Sequence, residues 1–402
     1  MHILRTRRLA AFFCAAATLL GGAAIQPVQA QAPRTAAESA LRDVVLVGNS
    51  AAGTVSFLDG HTFENIGTFN VIPDLAERLA AMNPIERIGY ETVRGRLGDK
   101  FADDLYTSPD GRTLYVSRAN LTDVTAFDLA SGQQVWRFKV SGFHADHMSI
   151  SPDGTRLVVS ATTTNEAQVI DAATGTQVGR FATGTYPHEN TYSADGRRIY
   201  NASIGTTLLP KALEFLKGPR QLTVVDAQTL RTIRTYTFEH GIRPWVITPG
   251  ERTVYAQLSY LNGLVEYDLE AGRIVRTVEL PFSEAGRALS PDQYPENSAH
   301  HGLAMSGDGS KLCSAGTIND YVAILSLPAL STDRLVPSGR LPYWATTSVD
   351  GEHCLVTNSN DDTVSVISYD TAQELKRVPV GDFPQRERLG KVAASAVAGL
   401  AG

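Results

Sequence analysis

Charge, cysteine and long apolar runs are all scarce in this chain of 402 residues. Only 19% of its residues are charged and the formal net charge is −6. No cluster of Lys and Arg stands out, which argues against a nucleic-acid partner or an anionic-membrane surface, since both need a basic patch. Beyond the first thirty residues nothing approaches the ~20 consecutive apolar residues of a membrane span, so no membrane insertion is expected. Several chemical signatures are missing too. Without Cys-x-x-Cys-His there is no c-type haem attachment, and without a Walker loop or a dinucleotide glycine fingerprint there is no nucleotide site. Neither a Gly-x-Ser-x-Gly elbow nor His-Glu-x-x-His is present.

What is present begins with Arg5, Arg7 and Arg8, an apolar run from Leu9 to Ala24, and small residues around Val28-Gln29-Ala30. That order is a secretory signal peptide over residues 1–30, removed near Ala30, with a disordered linker over 31–42. The expected location is secreted or on the exterior of the cell envelope. Of three cysteines, Cys14 falls in the signal peptide and leaves Cys313 and Cys354. They lie in consecutive repeats on opposite sides of their sheets, so face-to-face stacking can bring them together, and export permits a disulfide. The other reading is two buried small apolar residues.

A repeat runs through the rest. Ser-x-Asp-Gly occurs at Ser108–Gly111, Ser151–Gly154, Ser193–Gly196, Ser306–Gly309 and Ser348–Gly351, with a degenerate copy at Thr248–Glu251. Each period reads as four short strands separated by turn signals, the Asp-Gly turn closing the first hairpin. Third strands number seven, from Thr54–Asp59 to Thr363–Ser368, whereas only six first strands are internal. The missing one is expected from the segment after Gly381, which closes a ring and removes the exposed sheet edges.

The expectation is an all-β, seven-bladed β-propeller of four-stranded blades over residues 43–390, followed by a flexible tail at 391–402. Three segments break the period, at 72–101, 203–220 and 281–300, and strand parity puts all three on one face, the top. The first is read as a short helical insertion, with Asp74 as cap and Leu75, Leu79 and Met82 at helical spacing. The other two are read as loops.

Leu114-Tyr115-Val116-Ser117, Val364-Ser365-Val366-Ile367 and the Ser-Pro-Asp-Gly turns resemble the YVTN-type seven-bladed propeller repeat of secreted bacterial proteins. The resemblance covers roughly residues 43–385. It implies the fold and leaves function open, because the same wheel serves surface proteins, lactonases, lyases and electron-transfer subunits.

Histidine placement is the least random feature of the sequence. Six of the eight histidines after the signal peptide precede a motif turn. The residue five before each motif serine is Asp103, Asp146, His188, Arg243, His301 or Tyr343, with Gln385 as the candidate of the closing segment. These form one ring at the top mouth of the channel. One residue later come Asp104, His147, Glu189, Pro244, Gly302 and Trp344, which strand alternation turns to the opposite face.

Imidazole and carboxylate are the ligand types of a divalent metal, and His188, His301, Asp146 and His147 are the candidate ligands. Without a metal, His188, His301, Asp146 and Asp103 are the candidate catalytic groups, acting as general acids and bases. Arg243 is a clamp for an anionic ligand. Tyr343, His147, Glu189 and Trp344 complete the expected ligand-binding set. Two functional readings follow. One is an exported enzyme acting on a small organic molecule by lactonase- or lyase-like chemistry at the top face. The other is a non-catalytic ligand-binding or envelope scaffold.

Overall fold

The Ser-x-Asp-Gly turn works the same way in five blades. The serine hydroxyl donates to the aspartate of its own turn at 2.5–2.7 Å. It also accepts the backbone N–H five residues on at 2.9–3.0 Å. The glycine sits at φ +66° to +78°, a region that favours a residue without Cβ. In the degenerate copy Glu251 takes this conformation at φ +57°.

The computed structural model describes residues 40–401. Among them, 28 strands form seven separate four-stranded antiparallel sheets, a seven-bladed β-propeller. Six blades use four consecutive strands each. Blade one joins the last strand of the chain, Pro384–Ala393, to the first three, starting at Leu41–Asn49. The register runs from Leu41 opposite Ala393 to Asn49 opposite Pro384. Apolar clusters fill the space between neighbouring sheets; Val158, Val169, Ile199 and Val225, for example, join blades three and four. Cys313 and Cys354 are joined by a disulfide with S–S 1.98 Å, which links blades six and seven.

The segment after the last strand is not a flexible tail. Residues 394–397 are α-helical and 398–401 form a 3-10 turn, with Ala396 and Leu400 buried against Phe69, Phe127 and Leu129. Gly67 makes room for them, because a Cβ there would lie 2.3 Å from the Leu400 carbonyl. The linker reading also ends early, since strand structure begins at Leu41. The signal peptide, Cys14 and the linker up to residue 39 lie outside the described residues.

The first insertion holds two helices, α1 (Leu75–Ala81) and α2 (Pro84–Leu97). Asp74 does not cap α1 with its side chain; it pairs with the fully buried Arg118, whose other partner is Asp123. Asn83 caps α2 in a capping box with Glu86. The second insertion carries a 3-10 helix at Lys211–Leu216 and the third a short helix α3 (Glu284–Ala288), so neither is wholly loop. No helix of the described residues is long and apolar enough to cross a membrane.

Candidate functional site

Each blade carries one ring-position residue on or just before its innermost strand, and all seven are buried: Asp103, Asp146, His188, Arg243, His301, Tyr343 and Gln385. The following residues were expected on the opposite face, and a β-bulge prevents this. In blade three Ala145 pairs with Ala161 while Met148 pairs with Val159, so one extra residue is accommodated at Asp146-His147. The same slip recurs at His188-Glu189, Arg243-Pro244 and Tyr343-Trp344. A bulge breaks strict alternation and re-aims side chains. His147 therefore sits beside Asp146, at 3.3 Å from carboxylate to Nε2, and its ring centroid is 3.9 Å from that of His188.

A chain of contacts crosses the mouth. His188 Nδ1 lies 3.1 Å from Asp146 Oδ2, and His301 Nδ1 lies 3.2 Å from the Tyr343 carbonyl. Both partners only accept, so each histidine carries its proton on Nδ1 and presents a lone pair at Nε2. Those two Nε2 atoms face each other at 3.4 Å. Asp146 is further held by the Thr162 hydroxyl at 3.2 Å and by the His147 N–H at 3.0 Å.

Asp146, His147 and His188 present ligand-type atoms within 4.8 Å of one another. Their lone pairs are largely engaged, however. Asp146 is spent on orienting His188, and His147 Nε2 faces a donor of Arg386. Of the four expected metal ligands, His188 and His301 are the pair with lone pairs aimed at a common point, while Asp146 and His147 flank it.

Burial pushes the basicity of His301 and His147 well down, aided by His188 for the former and by Arg386 for the latter. His188 is lowered by burial as well, against the opposing pull of Asp146. Burial would raise Asp146, yet the His188 contact wins and holds it well below the usual carboxylate range. Asp103 moves the other way, pushed up by burial and then by the neighbouring Asp146 charge. Glu189, also buried, is pushed up to about 7 by burial.

The remaining expected residues frame this centre. The Tyr343 ring packs on His301 with centroids 4.2 Å apart, and its hydroxyl donates to Glu296 at 3.2 Å. The Trp344 ring lies edge-on to His147 and carries the Arg386 guanidinium 3.6 Å over its face. Arg243 donates to Ser259 Oγ and to the Glu296 carbonyl. Arg388 and Asp104 make a double hydrogen bond at 2.9 Å on the channel wall.

Four groups at the mouth were not among the expected residues. Lys100 from the first insertion pairs with Glu296 from the third, directly over the ring. The second insertion joins them through Lys217, which donates to Asn297 Oδ1 at 2.7 Å. Neither Lys100 nor Glu296 carries a repeat signal, because both lie in segments outside the period. Arg386 was legible in principle: extending the alignment one residue past Gln385 puts it in the column of His147 and Trp344.

A cavity of about 340 Å³ leads from the surface to this centre. Its wall is apolar, formed by Ile85, Ile88 and Leu97 of α2 with Ile204 and Leu208, and its floor is Asp146, His144 and Glu296.

No protein-family model matches the sequence, and no curated protein matches it. Among solved structures the chain is similar to Kuenenia stuttgartiensis hydrazine synthase, with a TM-score of 0.59 and 20% identity over 85% of this chain and 98% of that one. At that identity the likeness speaks for the fold alone, and it agrees with the seven-bladed wheel.

Proposed function

We propose that the protein is an exported propeller that binds a small organic molecule at the top mouth of its channel and transforms it by metal-assisted or acid–base chemistry. The signal-like N-terminus and the YVTN-like repeat support export. The observation that carries the site is the opposed pair of lone pairs on His188 and His301 at 3.4 Å. Two lone pairs facing each other repel unless a cation lies between them. Imidazole nitrogens at ~2.0–2.1 Å on a tetrahedral metal are roughly 3.3–3.4 Å apart, so the spacing suits an ion of the zinc class.

His188 and His301 would hold that ion. Asp146 and the Tyr343 carbonyl would fix the ligand tautomers from behind, as outer-shell acceptors do in metal sites. A metal in this position supplies a Lewis acid and an acidified water. The apolar passage admits the organic body, the Lys100–Glu296 bridge covers the mouth, and Asp103, whose carboxyl is pushed up by burial and the Asp146 charge, would give a proton.

Metal content of the purified mature protein tests this directly, in the wild type and in His188→Ala and His301→Ala. A stoichiometric metal lost in both variants, with thermal stability retained, is the expected result. Absence of metal, together with no stabilisation by any small molecule, would leave the scaffold reading in its place.

A further inference from the structure

Two buried guanidinium groups at the mouth have no carboxylate. Arg243 is 0% exposed and Arg386 1% exposed. Neither makes an ion pair within 4.0 Å, whereas the buried Lys100 and Arg118 and the partly buried Arg388 each have an acidic partner. On each orphan one terminal nitrogen, Nη1, has no hydrogen-bond partner at all. Fully buried arginines are rare unless paired, and an unpaired one is strongly destabilising. Sites that keep such groups are made for an anion that arrives from outside.

Both arginines belong to the centre described above. Arg386 contacts His147 and stacks on Trp344, while Arg243 donates to the carbonyl of Glu296, a residue that lines the apolar passage. Each lies close enough to His188 and His301 to depress their basicity.

The floor carboxylates do not favour a cationic ligand. Glu296 is satisfied by Lys100, and Asp146 already accepts from His188, Thr162 and the His147 N–H. Each orphan offers one unpartnered nitrogen, and two such donors match the two oxygens of a carboxylate.

We propose that the substrate is a small carboxylic acid with an apolar body, its carboxylate received by the free nitrogens of Arg243 and Arg386 and its body lying along Ile85, Ile88 and Leu208. This deepens the reading of the mouth as the working site and rests on it, but it requires no metal.

The test is a saturable rise in melting temperature, with calorimetry, for four probes: phenylacetate, phenylacetamide, phenethylamine and inorganic phosphate. Phenylacetate is expected to bind. The isosteric amide should bind about tenfold or more weakly, because it lacks the charge-assisted bonds, and the amine and phosphate should give no shift. Arg243→Gln should abolish the phenylacetate shift while raising the melting temperature of the free protein, since it removes an unpaired buried charge. Ile88→Ser, on an exposed position of the wall, should weaken phenylacetate but leave acetate, added as a fifth probe, unchanged, and it guards against a folding failure of the arginine variant. Equal binding of acid and amide, preference for the amine or phosphate, or unaltered binding in Arg243→Gln would overturn the proposal. Metal content in Arg243→Gln separates the two ideas: carboxylate binding lost with metal retained refers to the arginines, and the reverse pattern in His301→Ala refers to the histidine pair.

Discussion

Cys313, in the second strand of blade six, is bonded to Cys354 in the second strand of blade seven, 41 residues on, with Cα atoms 6.3 Å apart. Both are fully buried in one apolar cluster with Val322, Val356 and Ile367. The bond acts as a rivet between two blades that otherwise meet through side-chain packing. Closing a loop of this length restricts the unfolded chain by about 4 kcal/mol at most. Cys313→Ala/Cys354→Ala should therefore melt several degrees lower, and unreduced and reduced wild type should differ by two mass units. Unchanged melting in the double variant would show that the rivet adds nothing.

Glu296 gives the acid limb a definite sign. Burial opposes its ionisation, yet Lys100 holds it down to about 2 from an ordinary 4.5. A depressed carboxylate stabilises above its unfolded value and loses that contribution as pH falls, here between pH 4.5 and pH 2. Glu296→Gln should flatten the fall in melting temperature across this window. It should also cost stability near neutral pH, where Lys100 is left buried without its partner. An acid limb identical to wild type would remove Glu296 as its source.

Glu387 works in the opposite direction. It is 0% exposed, neither carboxyl oxygen has a partner, and burial pushes it well above the usual range. A carboxyl raised by folding costs stability as pH climbs past its unfolded value. Glu387→Met, which fills similar space without a polar atom, should stabilise by about 1–3 kcal/mol. It should also reduce the decline of melting temperature from mildly acidic to neutral pH. Lower stability at pH 7 would mean that the carboxyl has a partner such as water.

The C-terminal turn should prove structural. Leu400→Ala leaves a hole among Phe69, Phe127 and Leu129 and should cost about 2–4 kcal/mol. Gly67→Ala drives a methyl into the Leu400 backbone and should release the same segment, seen as new proteolysis beyond residue 393. Gly95→Ala in α2, where a Cβ meets nothing within 4 Å, is the control and should be neutral or mildly stabilising.

The wheel was legible because its turn chemistry repeats: a serine, an aspartate and a glycine at fixed spacing dictate the same hairpin wherever they occur. The ring of Asp103, Asp146, His188, Arg243, His301 and Tyr343 followed from counting back from those serines. The side of the strand taken by His147 did not follow, because alternation assumes an unbroken ladder and the inner strands carry bulges whose extra residue leaves no mark in composition. Lys100 and Glu296 were invisible for a different reason. They meet 196 residues apart, from irregular segments that share no period. Leu400 looked dispensable because Ala- and Gly-rich sequence is poor strand material, and what docks it is the absence of a side chain at Gly67.

The pairing of Leu41–Asn49 with Pro384–Ala393 has a consequence in time. Blade one receives its innermost strand only after the other six blades have been synthesised, so its first three strands wait with an open inner edge. Contacts of such sequence separation form late and slowly. A chain synthesised amino end first stays an unclosed arc until its last strand, Pro384–Ala393, has emerged. Closure thus reports that Pro384–Ala393 has arrived, and a product truncated before Pro384 would be left with an adhesive edge for proteases and chaperones to recognise.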